Sequence, residues 1–251
     1  MKSAINNTFY DELGDQWHAS CSHPVALLRA ENRLRNPWIA ARLSPSSKVL
    51  DMGCGAGFLS HALAQEGHTV TGIDLSERSL DVARKLDTTQ RVHYQIGNAT
   101  ALPFSSESFD VVSAMDLLEH VEDPAAVVQE AARLLKPGGL FFFHTFNRNF
   151  LSWLIVVKGV EWCVKNTPPR MHLYRLFIKP QELTHMCESQ GMTVQDIQGV
   201  NPKISKPFWQ MVRQREVPDD LEFVFSKSLK MGYCGVAEKS SAFKSERFLK
   251  S

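Results

Sequence analysis

The chain has 251 residues, of which 43% are hydrophobic and 22% charged, and its formal net charge is +1. This composition is typical of a globular protein with one large domain, and the near-zero charge excludes the basic field of a nucleic-acid-binding protein. The five cysteines form no CxxC pair, which favours a reduced cytoplasmic compartment over a disulfide framework or a structural zinc site. Residues 1–17 hold no apolar signal core, and no run reaches the roughly 20 apolar residues of a membrane span. We therefore expect a soluble protein that at most lies on a membrane surface.

Short β-branched or aromatic runs alternate with amphipathic runs between residues 47 and 147. Five strands are predicted there, namely KVLDM, HTVTGID, RVHYQIG, FDVVSAMDL and LFFFHTF, and two closing strands are predicted at TVQDIQGV and KMGYCGVAEK. The predicted helices are FLSHALAQEG, SERSLDVARKL, which Ser76 can cap, and DPAAVVQEAARLLKPGG, which ends in a Lys-Pro-Gly-Gly stop. This alternation indicates a doubly wound α/β fold with a mostly parallel, seven-stranded, Rossmann-like sheet.

The remaining segments divide this single predicted domain into four parts. Residues 1–46 are expected to form an N-terminal helical lid, and residues 47–147 form the ligand-binding core. Residues 148–185 are an apolar and aromatic insertion after the fifth strand, and residues 186–251 supply the closing strands and a tail.

Three glycines, Gly53, Gly55 and Gly57, follow the first predicted strand. Glycine lets the backbone turn tightly and approach a ligand beyond the carboxyl ends of the strands. Asp74 closes the second predicted strand, where its carboxylate can accept hydrogen bonds from both hydroxyls of a ribose. The loop and the acid at this spacing favour a nucleotide-like ligand over a purely structural turn.

Spacing and charge narrow the choice of ligand. Dinucleotide sites use GxGxxG, whereas this loop reads GxGxG and has Phe58 where the last glycine would stand. Asp51 precedes the loop, and a carboxylate there repels a pyrophosphate but suits an ammonium group. These features favour S-adenosylmethionine, whose amine and sulfonium are cationic, and leave a dinucleotide oxidoreductase as the alternative.

The stretch MDLLEHVEDP follows the fourth predicted strand and therefore lies at the rim of the same site. If a helical turn begins there, Asp116, Glu119 and His120 share one face. They could hold a divalent cation such as Mg²⁺, or His120 could act as a general base; the alternative is the solvated start of a helix. His144, at the end of the fifth strand, is a second candidate base, although packing is the commoner role for such a histidine.

Five motifs together, VLDMGCGAG, GIDLS, GNATALPF, FDVV and LLKPGG, resemble the class I S-adenosylmethionine-dependent methyltransferases. The resemblance implies that the glycine loop lies along the methionine moiety of the cofactor and that Asp74 binds its ribose. It also implies that Asn98 and Ala99 lie near the adenine; many relatives have Asp where this chain has Asn98.

A longer series, EHVEDP, LLKPGG, FHTFNRN, SWL, FIKPQEL and GVNP, resembles the ubiquinone-biosynthesis O-methyltransferases over nearly the whole chain. Members of this family methylate hydroxyls of polyprenylated phenols and catechols. The cofactor site implied by the resemblance consists of Arg35, Asp51, Gly53, Gly55, Gly57, Asp74, Leu75, Asn98, Ala99 and Met115. The candidate catalytic residues, from their position at the rim, are His120, Glu119 and His144.

Two features of this chain depart from the family pattern. The divalent ion of eukaryotic members would be held here by Asp116, Glu119 and His120, with Asp116 in place of the more usual Glu. The N-terminal region has the single Trp17 and has His23 as its nearest histidine, where relatives have a double Trp and a His shortly before the arginine.

The insertion begins with FLSWLIVVKGVEWCV, which is too short and too charged for a membrane span. One interpretation is a buried helix that packs on the sheet. The other is an amphipathic contact with anionic lipid, because Lys165, Arg170 and Arg175 follow beside aromatic residues. We expect residues 150–177 to form a lid over the substrate pocket and a reversible membrane contact.

Taken together, the resemblance implies an S-adenosylmethionine-dependent O-methyltransferase, with a divalent cation as an additional cofactor. Its expected partners are a polyprenyl phenol or catechol, a membrane surface and other quinone-biosynthesis enzymes, without nucleic acid. The expected location is the cytoplasm, peripheral to the inner membrane. The alternatives are a methyltransferase for another small molecule and a non-catalytic cofactor-binding protein.

Overall fold

The computed structural model describes residues 8–241. The beginning of the predicted N-terminal lid (1–7) and the end of the predicted tail (242–251) lie outside the described residues. The helices of the described part are α1 (Thr8–Glu12), α2 (Gln16–Ala19), α3 (Val25–Ala40), α4 (Phe58–Gln65), α5 (Glu77–Leu86), α6 (Pro124–Leu134), α7 (Phe150–Ser152), α8 (Val160–Cys163), α9 (Pro180–Ser189) and α10 (Lys206–Gln214). A π-helical segment (Trp153–Gly159) joins α7 to α8, and single 3₁₀ turns lie at Leu118–His120 and Tyr174–Leu176.

The strands form one sheet, β1 (Lys48–Met52), β2 (Thr69–Asp74), β3 (Val92–Ile96), β4 (Phe109–Met115), β5 (Leu135–Phe146), β6 (Met192–Pro202), β7 (Phe223–Ser226) and β8 (Gly232–Lys239). Their order is β3-β2-β1-β4-β5-β8-β6-β7. The first five strands pair in parallel, whereas β8, β6 and β7 are joined by antiparallel pairings. The predicted doubly wound, mostly parallel α/β fold is therefore confirmed.

The predicted strand count was one too low, because the sheet of the described residues has eight strands and not seven. The additional strand is β7, which pairs with the end of β6 from Gly199 to Pro202. It has only four residues, FVFS, at the edge of the sheet. A run this short shows no clear alternation of polar and apolar residues, so the period-2 signal that identified the other strands is missing.

The boundary between α6 and β5 also differs from the prediction. The helix was expected to run to the Lys-Pro-Gly-Gly stop, but it ends at Leu134 and β5 begins at Leu135. The glycine stop therefore lies within the long strand, where the pairing with β4 shifts register between Phe109 and Val111. The predicted cap of α5 is present, because the Ser76 hydroxyl accepts a hydrogen bond of 3.1 Å from the Ser79 amide.

Apolar side chains fill both faces of the sheet. Leu50, Phe141 and Phe143 belong to the cluster that includes residues of α6 and α9, whereas Val49 and Phe142 belong to the cluster that includes residues of α3 and α4. This division follows from the alternation of side chains along a strand. Because both faces are covered, the carboxyl ends of the parallel strands are the edge that is open to a ligand. In the described part of the chain, no helix is long and apolar enough to cross a membrane.

Candidate active site

The glycine loop leaves β1 at the edge of the sheet predicted to bind a ligand. Gly53, Gly55 and Gly57 all have positive φ angles, of 72°, 52° and 79°, which lie in the left-handed region favoured by glycine. At Gly57 a Cβ atom would lie 2.3 Å from the Tyr94 hydroxyl oxygen. A larger residue there would force Tyr94 to move, so the loop needs glycine at this position for both conformation and space.

Asp74 lies at the end of β2 and is tied to the glycine loop. Its Oδ2 accepts a hydrogen bond of 2.9 Å from the Gly55 amide, and its Oδ1 accepts one of 2.8 Å from the Ser76 amide. Burial raises the pKa of the carboxyl and outweighs the opposite effect of these amides. The carboxylate is therefore oriented by backbone groups before any ligand arrives.

These two features border a cavity of about 300 Å³, which we call the cofactor cavity. Eight of the ten predicted cofactor-site residues line it, namely Asp51, Gly53, Gly55, Asp74, Leu75, Asn98, Ala99 and Met115. Gly57 and Arg35 are absent from its wall. The sequence interpretation missed Tyr10, Asp11 and Asn32, which also line this cavity. These three residues come from α1 and α3, more than 15 positions before the loop, and no motif marked them.

Asp51 lies on β1, before the loop, and its carboxylate is hydrogen-bonded to two serine side chains. Its oxygens accept hydrogen bonds of 2.6 Å from the Ser60 hydroxyl and 2.8 Å from the Ser113 hydroxyl. Burial raises the pKa of Asp51 to about 6, partly offset by those hydroxyls, so the group is mostly ionised at neutral pH. A buried negative charge is thus present in the wall of the cofactor cavity, on the side where a cationic ligand was predicted.

Arg35 lies behind the cavity wall and pairs with Asp116. The guanidinium is fully buried and donates to both carboxylate oxygens of Asp116, at 2.8 and 2.6 Å, while Glu31 lies 3.1 Å away. His144 Nδ1 lies 2.5 Å from Asp116 Oδ1. Burial disfavours the charged carboxyl, but Arg35 and His144 hold the pKa of Asp116 well below its usual value. Asp116 is therefore an ionised partner of a buried cation.

The helical turn assumed for residues 116–120 is not formed as predicted. Asp116 has a φ of 57° and precedes a 3₁₀ turn that covers only Leu118–His120. As a result the predicted ligands separate: Asp116 groups with Glu31 and His144, and Glu119 and His120 group with His172. Both oxygens of Asp116 are already engaged by Arg35. The predicted set Asp116, Glu119 and His120 therefore does not fit an ion in this arrangement.

His120 and Glu119 face a second cavity of about 580 Å³, which we call the substrate cavity. Burial lowers the pKa of His120 to about 4, although Asp116 opposes the shift, so its imidazole is neutral at neutral pH. Burial, and then the charge of Asp116, raises the pKa of Glu119 to about 8. His144 is fully buried in β5 and lines neither cavity; its contact with Asp116 is its principal polar interaction.

The walls of the substrate cavity are mostly apolar and come from distant parts of the chain. They include Leu28 on α3, Ile155 and Val160 of the insertion, Phe208 on α10, and Phe223 on β7. The insertion therefore forms part of the cavity wall, and Trp162, which lines the cavity, is also 62% exposed. The insertion thus has side chains in the cavity wall and large apolar side chains that are exposed, such as Phe150 at 70%.

The two cavities share part of their walls. Tyr10, Leu28, Asp116 and His120 line both of them. A ligand in the cofactor cavity and a ligand in the substrate cavity would thus meet beside His120. This geometry suits the direct transfer of a group from one bound molecule to another.

Comparison with known proteins shows that the chain is similar to methyltransferases. A family described as "Methyltransferase domain" matches residues 50–143. A ubiquinone biosynthesis O-methyltransferase of Coxiella burnetii is 40% identical over 197 residues, which cover 77% of this chain and 83% of the relative. The corresponding protein of Thiobacillus denitrificans is 42% identical over 195 residues, covering 76% of this chain and 84% of the relative.

Solved structures share the fold at lower identity. A putative methyltransferase of Bacillus halodurans superposes with a TM-score of 0.61 at 21% identity, covering 82% of this chain and 98% of the other. Magnesium protoporphyrin IX methyltransferase of Synechocystis, crystallised with SAH, gives a TM-score of 0.60 at 17% identity, with coverage of 96% and 90%. At these sequence identities the likeness shows a shared fold and nothing beyond it.

Proposed function

We propose that the chain, which belongs to the ubiquinone biosynthesis O-methyltransferase family, transfers a methyl group to a polyprenylated phenol or catechol at the junction of its two cavities. It is an S-adenosylmethionine-dependent O-methyltransferase of ubiquinone biosynthesis. The observation that carries the proposal for the site is the wall shared by the cofactor and substrate cavities, which contains His120.

S-adenosylmethionine is assigned to the cofactor cavity. Asp74, held by the Gly55 and Ser76 amides, would accept hydrogen bonds from the ribose. The buried charge of Asp51 would favour the cationic methionine end. S-adenosylmethionine held in this way would supply a methyl group in a cavity that shares part of its wall with the substrate cavity.

Methyl transfer releases a proton, and His120 is the group proposed to accept it. The substrate oxygen donates an electron pair to the methyl carbon, the carbon–sulfur bond breaks with its pair going to sulfur, and the hydroxyl proton must leave. A free phenol has a pKa near 10, but its proton becomes strongly acidic as the new oxygen–carbon bond forms. A neutral imidazole with a pKa of about 4 is therefore able to take the proton late in the reaction.

The substrate cavity suits a phenol that has an apolar tail. Its volume of about 580 Å³ and its largely apolar walls can bury isoprene units, each buried CH₂ contributing about 0.8 kcal/mol. Glu119 and His120 are polar groups of its wall near the junction. This distribution supports binding of the phenol head at the junction and of the tail toward the insertion.

The rim of the substrate cavity is proposed to lie on a lipid surface, where polyprenylated substrates reside. Four large apolar side chains at or beside the rim are more than 60% exposed, namely Phe150, Trp162, Ile204 and Trp209. Two of the cations predicted to meet anionic lipid are in ion pairs instead, Lys165 with Glu216 at 2.8 Å and Arg175 with Glu122 at 2.5 Å. We therefore infer a mainly apolar contact rather than an electrostatic one.

Replacement of His120 by alanine tests the proposed base. We expect kcat to fall by about 10²–10⁴-fold, which is the usual contribution of a general base, while the affinity for S-adenosylhomocysteine changes little. Calorimetric titration with S-adenosylhomocysteine, and with NAD as a negative control, measures the second quantity. The matched control is His185→Ala on the exposed side of α9, which should have the kcat of the wild type. Wild-type turnover in His120→Ala would refute the role of His120.

A further inference from the structure

Tyr10 brings a phenol hydroxyl to the junction of the two cavities. The residue lies on α1 and lines both the cofactor cavity and the substrate cavity. Its ring stacks on Trp17 with the centroids 5.6 Å apart, and it meets the His120 ring edge-on at 5.5 Å. These contacts fix the ring from two sides, so the hydroxyl has a defined position.

The Tyr10 hydroxyl is hydrogen-bonded to His120. Tyr10 Oη lies 3.3 Å from His120 Nε2. Burial, followed by the charges of Glu119 and Asp116, raises the pKa of Tyr10 above its usual value, so the phenol stays protonated and donates. The buried imidazole is neutral, and we assign its proton to Nδ1, the tautomer in which Nε2 accepts from Tyr10. The lone pair of Nε2, which a base would use, therefore faces Tyr10.

We propose that Tyr10 is the catalytic residue that contacts the substrate hydroxyl and relays its proton to His120. A tyrosine oxygen has acceptor lone pairs besides its proton. Tyr10 Oη can thus accept a hydrogen bond from the substrate while it donates to His120 Nε2. As the methyl carbon bonds to the substrate oxygen, the substrate proton moves to Tyr10 Oη and the Tyr10 proton moves to Nε2. Tyr10 ends neutral, His120 ends protonated, and the methyl group and the electron pair move as described above.

The helix that carries Tyr10 is attached to the cofactor site. The Ser79 hydroxyl donates a hydrogen bond of 3.3 Å to the Tyr10 carbonyl, and the Ser76 hydroxyl donates to the Asp11 carboxylate. Ser76 caps the N-terminus of α5 and Ser79 lies in its first turn, and both line the cofactor cavity. These two hydrogen bonds therefore fix the position of Tyr10 relative to the cofactor cavity, where the methyl donor is proposed to bind.

The test compares Tyr10→Phe, His120→Ala and the double variant in a methyl-transfer assay with a prenylated catechol. Tyr10→Phe keeps the ring that stacks on Trp17 and removes only the hydroxyl. We expect kcat to fall by at least about 10-fold at neutral pH, with the affinity for S-adenosylhomocysteine within twofold of the wild type. The double variant should be no slower than His120→Ala, because both groups act on one proton. The difference in kcat between Tyr10→Phe and the wild type should become smaller as the pH approaches the pKa of the substrate phenol, near 10, because an ionised phenol has no proton to transfer.

Tyr233→Phe is the matched control, because its hydroxyl donates a buried hydrogen bond of 2.9 Å to the Ile178 carbonyl outside both cavities. It should lower the melting temperature but not kcat. Wild-type kcat in Tyr10→Phe, or additive losses in the double variant, would overturn the relay. The relay rests on the proposed function, but the experiment separates the two. A low kcat in His120→Ala together with a wild-type kcat in Tyr10→Phe refutes only the relay. A normal His120→Ala refutes the proposed base and the relay together.

Discussion

At the scale of single residues, one ion pair, Arg35 with Asp116, dominates the charges beside the junction of the two cavities. Arg35 and Asp116 are 81 positions apart in the chain and form a bidentate contact. The sequence resemblance assigned Arg35 to the cofactor and Asp116 to a metal, since no local pattern connects residues so far apart. The structure instead gives each of them the other as its main partner. Asp116 has a left-handed φ of 57° and its carboxylate contacts Arg35 of α3, and no sequence signal indicated either feature.

Replacing Asp116 by asparagine should therefore destabilise the fold. The change leaves the fully buried Arg35 guanidinium with Glu31 as its remaining acid. Breaking one side of a buried pair typically costs about 3–5 kcal/mol, so the free energy of unfolding in urea should fall by that amount.

The matched control is Asp196→Asn, which breaks the 3.1 Å pair between Asp196 and Arg42 at the surface. About 0–1 kcal/mol is expected for an exposed pair. Equal losses of unfolding free energy in the two variants would contradict the account of Arg35 and Asp116.

At the scale of elements, the core strands were predictable because they are long enough to show a pattern. β1 was predicted with its observed bounds, Lys48–Met52, and β2 and β3 within one residue at each end. Two features were not predictable for the same physical reason. β7 has four residues, and the 3₁₀ turn after β4 has three, so neither is long enough for a periodic signal.

The exposed apolar rim gives a prediction for the insertion and α10. The double variant Trp162→Ser and Trp209→Ser removes two large side chains that are 62% and 61% exposed. We expect wild-type protein to co-sediment with phospholipid vesicles and the double variant to bind at least about 10-fold more weakly, because each side chain would bury apolar area in the bilayer interface.

Salt distinguishes the apolar contact from an electrostatic one. Since Lys165 and Arg175 are in ion pairs, raising the salt concentration from 0.05 to 0.5 M should change wild-type vesicle binding by less than about threefold. A steep salt dependence, or unchanged binding of the double variant, would count against an apolar docking face. A control pair of substitutions on the opposite side, Lys85→Ser and Arg91→Ser, both exposed, should leave binding as it is.

At the scale of the whole molecule, function follows from two cavities that meet. The sequence predicted eight residues of the wall of the cofactor cavity, because the glycine loop and Asp74 lie close together in the chain. It predicted a substrate pocket under the insertion, but not the residues of α3, α10, β6 and β7 that complete the wall of the substrate cavity. Such a cavity exists only after the sheet has formed, so only the resemblance pointed to an apolar substrate.

The most direct test of the account compares two methyl acceptors in one assay. The first is a catechol with a tail of several isoprene units, and the second is the same catechol with a methyl group in place of the tail. If the substrate cavity binds the tail and presents the hydroxyl to the cofactor, kcat/KM should be at least about 100-fold higher for the prenylated catechol, which corresponds to roughly four buried CH₂ groups. Equal kcat/KM values for the two catechols, or no transfer to either by protein that binds S-adenosylhomocysteine, would contradict this account.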